Sequence, residues 1–72
     1  MKTDVQQVKQ VWCDALGTDD VRTDALFYEL GGNSVILLII LDEIHRRFEV
    51  EIPIADYDQY DTIEKMTAYI NR

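Results

Sequence analysis

Apolar residues recur at helical spacing over most of this chain. Val5, Val8, Val11, Trp12, Ala15 and Leu16 fall on one helix face, and Gly17 after them is a natural stop. The stretch TDVQ, Thr3 to Gln6, has the form of a capping box ahead of that helix. A second long helix is predicted from Ser34 to Phe48. At about 100° per residue, Leu37, Ile40, Leu41, Ile44 and Phe48 form its core-facing stripe, with Asp42, Glu43 and Arg46 opposite. Val35 and Ile39 point with that wet group, and Leu38 sits at the boundary one turn beyond Ser34. Apolar side chains are therefore left over, and they cluster beside the serine. The last helix is expected to begin near Asp61 or Thr62, with Asp61 and Glu64 as a capping pair. Ile63, Met66, Thr67 and Ile70 mark its inner face.

The connections carry shorter elements. A structureless run from Gly17 to Asn33 would be long for so small a domain, so a helical turn is expected at about Asp24 to Glu29. It would dock Leu26, Phe27 and Leu30 onto the core. Beyond Pro53, which costs nothing in a connection, the stretch IADYDQY reads as a further short helix. No segment has a convincing strand period. The pattern predicts an all-α fold, a four-helix bundle with a short third helix, in one domain spanning residues 1–72.

Size sharpens that expectation. Seventy-two residues lie near the lower limit for unaided folding, and a single Cys forms no internal disulfide. Stability must come from a compact core, which a hydrophobic fraction of 47% makes possible. Fourteen acidic against seven basic residues give a net charge of −7, which argues against nucleic acid and for partners with basic patches. The N-terminus lacks the apolar core of a signal peptide, and the apolar run Val35–Leu41 is far shorter than the roughly 20 residues of a membrane span. A soluble, cytoplasmic, monomeric domain is expected.

Most site chemistries fail on geometry. The only histidine, His45, lies eleven residues beyond Ser34 on the same helix, roughly 16 Å along its axis, so the two cannot form a catalytic pair. His45 reads as a surface residue near a helix C-terminus. DYDQYD lacks the glycine and closing glutamate of a calcium loop, and no phosphate-cradling loop is present. Cys13 falls on the outer side of the first helix. Trp12 and the tyrosines are most cheaply explained as packing, with their polar ends wet.

GGNS, Gly31 to Ser34, is different. Glycines turn the chain, and either Asn33 or Ser34 caps the amides of the helix that follows. That account leaves the second glycine and the stranded apolar residues unexplained. A hydroxyl at this point would be exposed where free N–H groups and the helix dipole favour a phosphate.

The pattern F-x-x-L-G-G-x-S, an apolar helix, then F-x-V-x-I-P, resembles the phosphopantetheine-binding carrier proteins. Phe27, Leu30, Gly31, Gly32, Ser34, Phe48, Val50, Ile52 and Pro53 carry the resemblance, and DTIEKMTAYI is similar to the family's final helix. The resemblance implies an acyl-carrier-protein-like fold and a non-catalytic role. Ser34 would receive 4′-phosphopantetheine from coenzyme A through a phosphopantetheinyl transferase using magnesium, with Gly31, Gly32 and Asn33 forming the presenting loop. An adenylating or acyl-loading enzyme would load the arm, and condensing or tailoring enzymes would use the cargo. Val35, Leu38 and Ile39, extended by Ile54 and Tyr57, would dock those partners. Asn33 replaces the aspartate usual in fatty-acid carriers, and Val35–Leu41 is wholly apolar, so LGGNS looks more like the peptidyl carriers of nonribosomal peptide and antibiotic biosynthesis. The initial Met suggests a discrete carrier, and an excised piece of a synthetase stays open. So do an acyl carrier of polyketide or fatty-acid assembly and, in another class, a structural interaction domain without a prosthetic group.

Overall fold

A computed structural model describes residues 3–72, so the first two residues of the expected domain lie outside it. Three α-helices, α1 (Val5–Leu16), α2 (Ser34–Phe48) and α3 (Ile63–Asn71), alternate with two 3-10 helices, Phe27–Leu30 and Ile54–Gln59. The short third member of the bundle is thus a 3-10 segment, kinked at Asp56. The other short helix starts at Phe27, three residues later than expected, because the turn is organised by Glu29. Its carboxylate accepts from the Leu26 amide at 3.1 Å, and its own amide donates to the Leu26 carbonyl at 3.0 Å.

The helix starts differ from expectation by a residue at both ends of the chain. Asp4, not Thr3, caps α1. Its carboxylate accepts from the Gln6 amide at 2.6 Å, while the Gln7 side chain accepts from the Asp4 amide at 2.9 Å. Thr3 instead faces the end of α3. Its amide donates to Asn71 Oδ1 at 2.8 Å, and Asn71 Nδ2 donates back to its carbonyl at 2.6 Å. Thr62 caps α3 through its hydroxyl, which accepts from the Lys65 amide at 3.0 Å. Glu64 is therefore free to accept from the Thr23 hydroxyl at 2.6 Å, and its amide donates to the Thr23 carbonyl. With the Phe27 amide on the Asp61 carbonyl at 2.8 Å, these bonds pin the long first connection to the start of α3.

The core is built on Val8, Val11, Trp12, Phe27, Leu37, Ile40, Ile44, Tyr60, Ile63 and Met66. Leu41 and Phe48, expected in the core-facing stripe with Leu41 at its centre, are half-buried and pack against the edge of the core. Glu43 is half-buried rather than wet, with Arg47 Nε donating to it at 2.8 Å. Two further expectations fail, for Cys13 and for the tyrosines. Cys13 is buried, and burial pushes its thiol pKa up. Tyr60 and Tyr69 are buried too, the latter completing the inner face of α3. Their hydroxyls bond protein instead of water, Tyr60 donating to the Pro53 carbonyl at 3.1 Å and Tyr69 to Asp56 at 2.8 Å. Edge-to-face contacts run unbroken from Trp12 through Phe27, Tyr57 and Tyr60 to Tyr69, with centroids 5.3 to 6.2 Å apart. The indole N–H of Trp12 finds its partner in the sulfur of Met66 at 3.1 Å.

Candidate functional site

The entry to α2 is set by two glycines with different tasks. Gly31 ends the first 3-10 helix at φ 89°, a left-handed conformation open to glycine at no steric cost. Gly32 lies against the Phe27 ring, and a Cβ there would meet Cζ at 2.4 Å. Phe27 is fully buried and touches Trp12, so it has nowhere to retreat. Together they bring the chain flat over the core before it turns into α2.

Asn33, not Ser34, is the cap. Its extended backbone and its side-chain oxygen, 2.9 Å from the Ile36 amide, start the helix. Ser34 is then the first residue inside α2, exposed, and its hydroxyl holds no hydrogen bond to any described residue. The amides of Ser34 and Val35 likewise have no partner among the described residues. No carboxylate occupies the first turn of α2, while His45, Arg46 and Arg47 fill the last, so the helix field at Ser34 is undiluted. A phosphodiester on the Ser34 hydroxyl would meet two unpaired N–H groups and the positive end of a dipole. The residues present fit that group.

His45 is exposed, about three turns along α2, and supplies no base to Ser34. Among the described residues no cluster of His, Cys, Asp or Glu could hold a metal ion, and no helix is long and apolar enough to cross a membrane.

Around Ser34 the surface is apolar. Leu26, Tyr28, Val35, Leu38, Ile39 and Ile54 are 45–67% exposed. Leu26 was expected in the core and is outside it, since a 3-10 turn that buries Phe27 leaves its neighbours facing out. Tyr28 was not singled out by the sequence, although an aromatic directly after a core Phe in a single turn is the signal that finds it. Tyr57 is half-buried and joins the patch to the core, 5.5 Å from Tyr28 and 6.2 Å from Phe27 between ring centroids.

Residues 6–70 match the model of the family described as "Phosphopantetheine attachment site". The chain belongs to that family. This carrier domain is 36% identical over 61 residues to bacitracin synthase 1 of Bacillus licheniformis, covering 85% of the chain and 1% of that protein. It is 31% identical over 65 residues to tyrocidine synthase 3 of Brevibacillus parabrevis, covering 90% of the chain and again 1% of the relative. The carrier domain thus spans about one hundredth of the length of these curated relatives. Its fold matches BlmI, a type-II acyl carrier protein of Streptomyces verticillus involved in bleomycin biosynthesis. The TM-score is 0.84 at 26% identity, over 92% of this chain and 80% of that one. A chain of the complex of the transferase Sfp with coenzyme A and a peptidyl carrier protein shares the fold alone, with TM-score 0.87 at 20% identity, over 97% and 91% of the two chains. Members of the family do no chemistry of their own. They hold a substrate on a 4′-phosphopantetheine arm.

Proposed function

We propose that Ser34 is the attachment residue, and that the arm it bears carries aminoacyl or peptidyl groups between enzymes of nonribosomal peptide synthesis. The observation that carries the reading is the division of labour at the start of α2. Asn33 takes the capping role, which leaves the neighbouring hydroxyl exposed and unbonded under two unpaired amides. In the transfer from coenzyme A, the Ser34 oxygen would bond the phosphorus as the pyrophosphate link breaks and adenosine bisphosphate departs. The hydroxyl proton would go to a base of the transferase, since His45 is too far along α2. Once attached, the arm supplies a terminal thiol that holds an acyl group as a thioester. Gly31 and Gly32 hold the loop, the first turn of α2 faces the phosphate, and the apolar patch is the surface for partners.

The sequence relatives named above are a bacitracin synthase and a tyrocidine synthase, which supports the aminoacyl cargo. So does the neutral Asn33, which leaves docking beside Ser34 apolar rather than ionic. Residues 1–72 are taken as a single domain, since the family match spans almost all of it. The reading places the domain in the cytoplasm beside an adenylating enzyme and condensing or tailoring enzymes.

The test is intact mass after incubation with coenzyme A, magnesium and a broad-specificity transferase, followed by peptide mapping. One arm on Ser34 is expected. The added mass on Thr3, Thr18 or Thr62, or none with an active transferase, overturns the assignment. Loading assays with amino-acid and malonyl donors then separate the peptidyl reading from an acyl one.

A further inference from the structure

The second 3-10 helix, Ile54–Gln59, carries Ile54 of the apolar patch and Tyr57, which joins the patch to the core. The core itself holds this segment only by its ends. Each of its residues is exposed or half-buried, while Ile52 and Tyr60 on either side are buried. The Tyr60 hydroxyl, donating to the Pro53 carbonyl at 3.1 Å, ties those two ends together across the segment. Between them the helix breaks at Asp56, where φ −93° and ψ 18° leave the helical range. Burial thus fixes where the segment starts and stops, and its middle is placed by something else.

That second fastening comes from α3. Tyr69 donates to Asp56 at 2.8 Å, among the described residues the one side-chain hydrogen bond from this segment to another element. The donor end is rigid. Tyr69 is buried, its ring packs edge-on against Tyr60 with centroids 5.6 Å apart, and the Arg72 guanidinium lies 4.0 Å from its ring centroid. The acceptor end sits at the kink, between Ile54 and Tyr57 in the chain. The acceptor is a carboxylate, and a charge-assisted bond is roughly twice as strong as a neutral one. Asp56 is also half-buried, so water replaces the phenol when the bond opens and no charge is stranded. Such a bond closes firmly and opens without unfolding the domain.

We infer that Asp56 and Tyr69 form a latch that sets the position of Ile54 and Tyr57, and through them the affinity of the carrier domain for partner enzymes. Both are positioning residues, and the inference rests on the reading of the apolar patch as the partner surface. The test uses arm transfer by a broad-specificity phosphopantetheinyl transferase, whose KM for the carrier and kcat are measured separately. Tyr69→Phe keeps the ring and removes the donor. Losing a bond to a charged group shifts a local equilibrium about tenfold or more. Apparent affinity falls with the fraction of molecules in the competent position, so KM should rise about three- to tenfold at unchanged kcat. Asp56→Ala should match it, and the double variant should be no worse than either single one. Asp56→Asn keeps an acceptor for the phenol and should restore most of the affinity. NMR relaxation dispersion on Tyr69→Phe should show new exchange at the amides of residues 54–59, with those of α1 and α2 quiet. Parent KM with a quiet segment overturns the latch, and so does exchange spread over the whole protein. Additive losses in the double variant overturn it as well. An Asp56→Asn as weak as Asp56→Ala would mean that the enzyme reads the carboxylate itself, which also overturns it. Ile39→Asp with the parent KM overturns the reading of the patch, and this inference with it.

Discussion

The far end of the Phe27 ring lies against the bare α-carbon of Gly32, and no side chain fits between them. Gly31, one residue earlier, has open space but a left-handed backbone. The two glycines before α2 are therefore needed for unrelated reasons, and their substitutions should differ. Gly31→Ala should cost about 1–2 kcal/mol, the penalty of a Cβ in the left-handed region. Gly32→Ala must move a fully buried ring and should cost about 1–3 kcal/mol, as overpacking does. It should also perturb Trp12 fluorescence, because Phe27 packs edge-on against that indole at 5.3 Å. Urea melts followed by fluorescence check both. Gly32→Ala with wild-type stability and spectrum would mean that the loop lifts freely off Phe27.

The cap and the proposed attachment residue are neighbours with separable defects. Asn33→Ala removes the acceptor for the Ile36 amide and should lose about 1 kcal/mol. Ser34→Ala removes no hydrogen bond, so its melting curve should match the parent while loading is abolished. A large stability loss from Ser34→Ala would mean that the serine shares the capping role.

Packing and docking separate along α2 in the same way. Ile44 is fully buried, and Ile44→Ala should cost about 2–5 kcal/mol, much of the stability of a domain this size. Ile39 is half exposed. Ile39→Asp should leave the melt nearly unchanged and weaken binding to a partner enzyme by about 1–3 kcal/mol if it is a hot spot. Calorimetric titration beside thermal melts reads both quantities. An unfolded Ile39→Asp would place that side chain in the core.

Alkaline pH should unfold the domain through its tyrosines. Desolvation pushes Tyr57 and Tyr60 up to about 12 from an ordinary value of 10.0, helped at Tyr57 by Asp61 and at Tyr60 by Tyr69 and Asp56. The folded state then holds these protons more tightly than the unfolded chain. Their contribution is fully present below pH 10 and is lost as pH rises from about 10 to 12. Tyrosinate absorbance measured beside circular dichroism should show part of the ionisation arriving only with unfolding. Full ionisation of a still-folded protein would contradict the burial.

Much of this protein is legible in local sequence. Hydrophobic period placed α1 and α2, Gly17 ended the first, and the inward arc of α2 from Leu37 to Ile44 needed only 3.6 residues per turn. The turn at Gly31 and the start of α2 at Ser34 followed from residue types in order. Tertiary structure decided what depends on neighbours distant in the chain. Gly32 is needed because of Phe27. Cys13 is buried although the helical count of α1 put it outside, and Leu41 is only half-buried, lining a groove with Glu51, Ile52 and Pro53. The caps of α1 and α3 shifted by one residue for the same reason: Asn71 holds Thr3, and Thr23 holds Glu64. Helical period is a property of one segment and shows in its residues, whereas burial and capping partners are set by contacts between segments that no single stretch encodes.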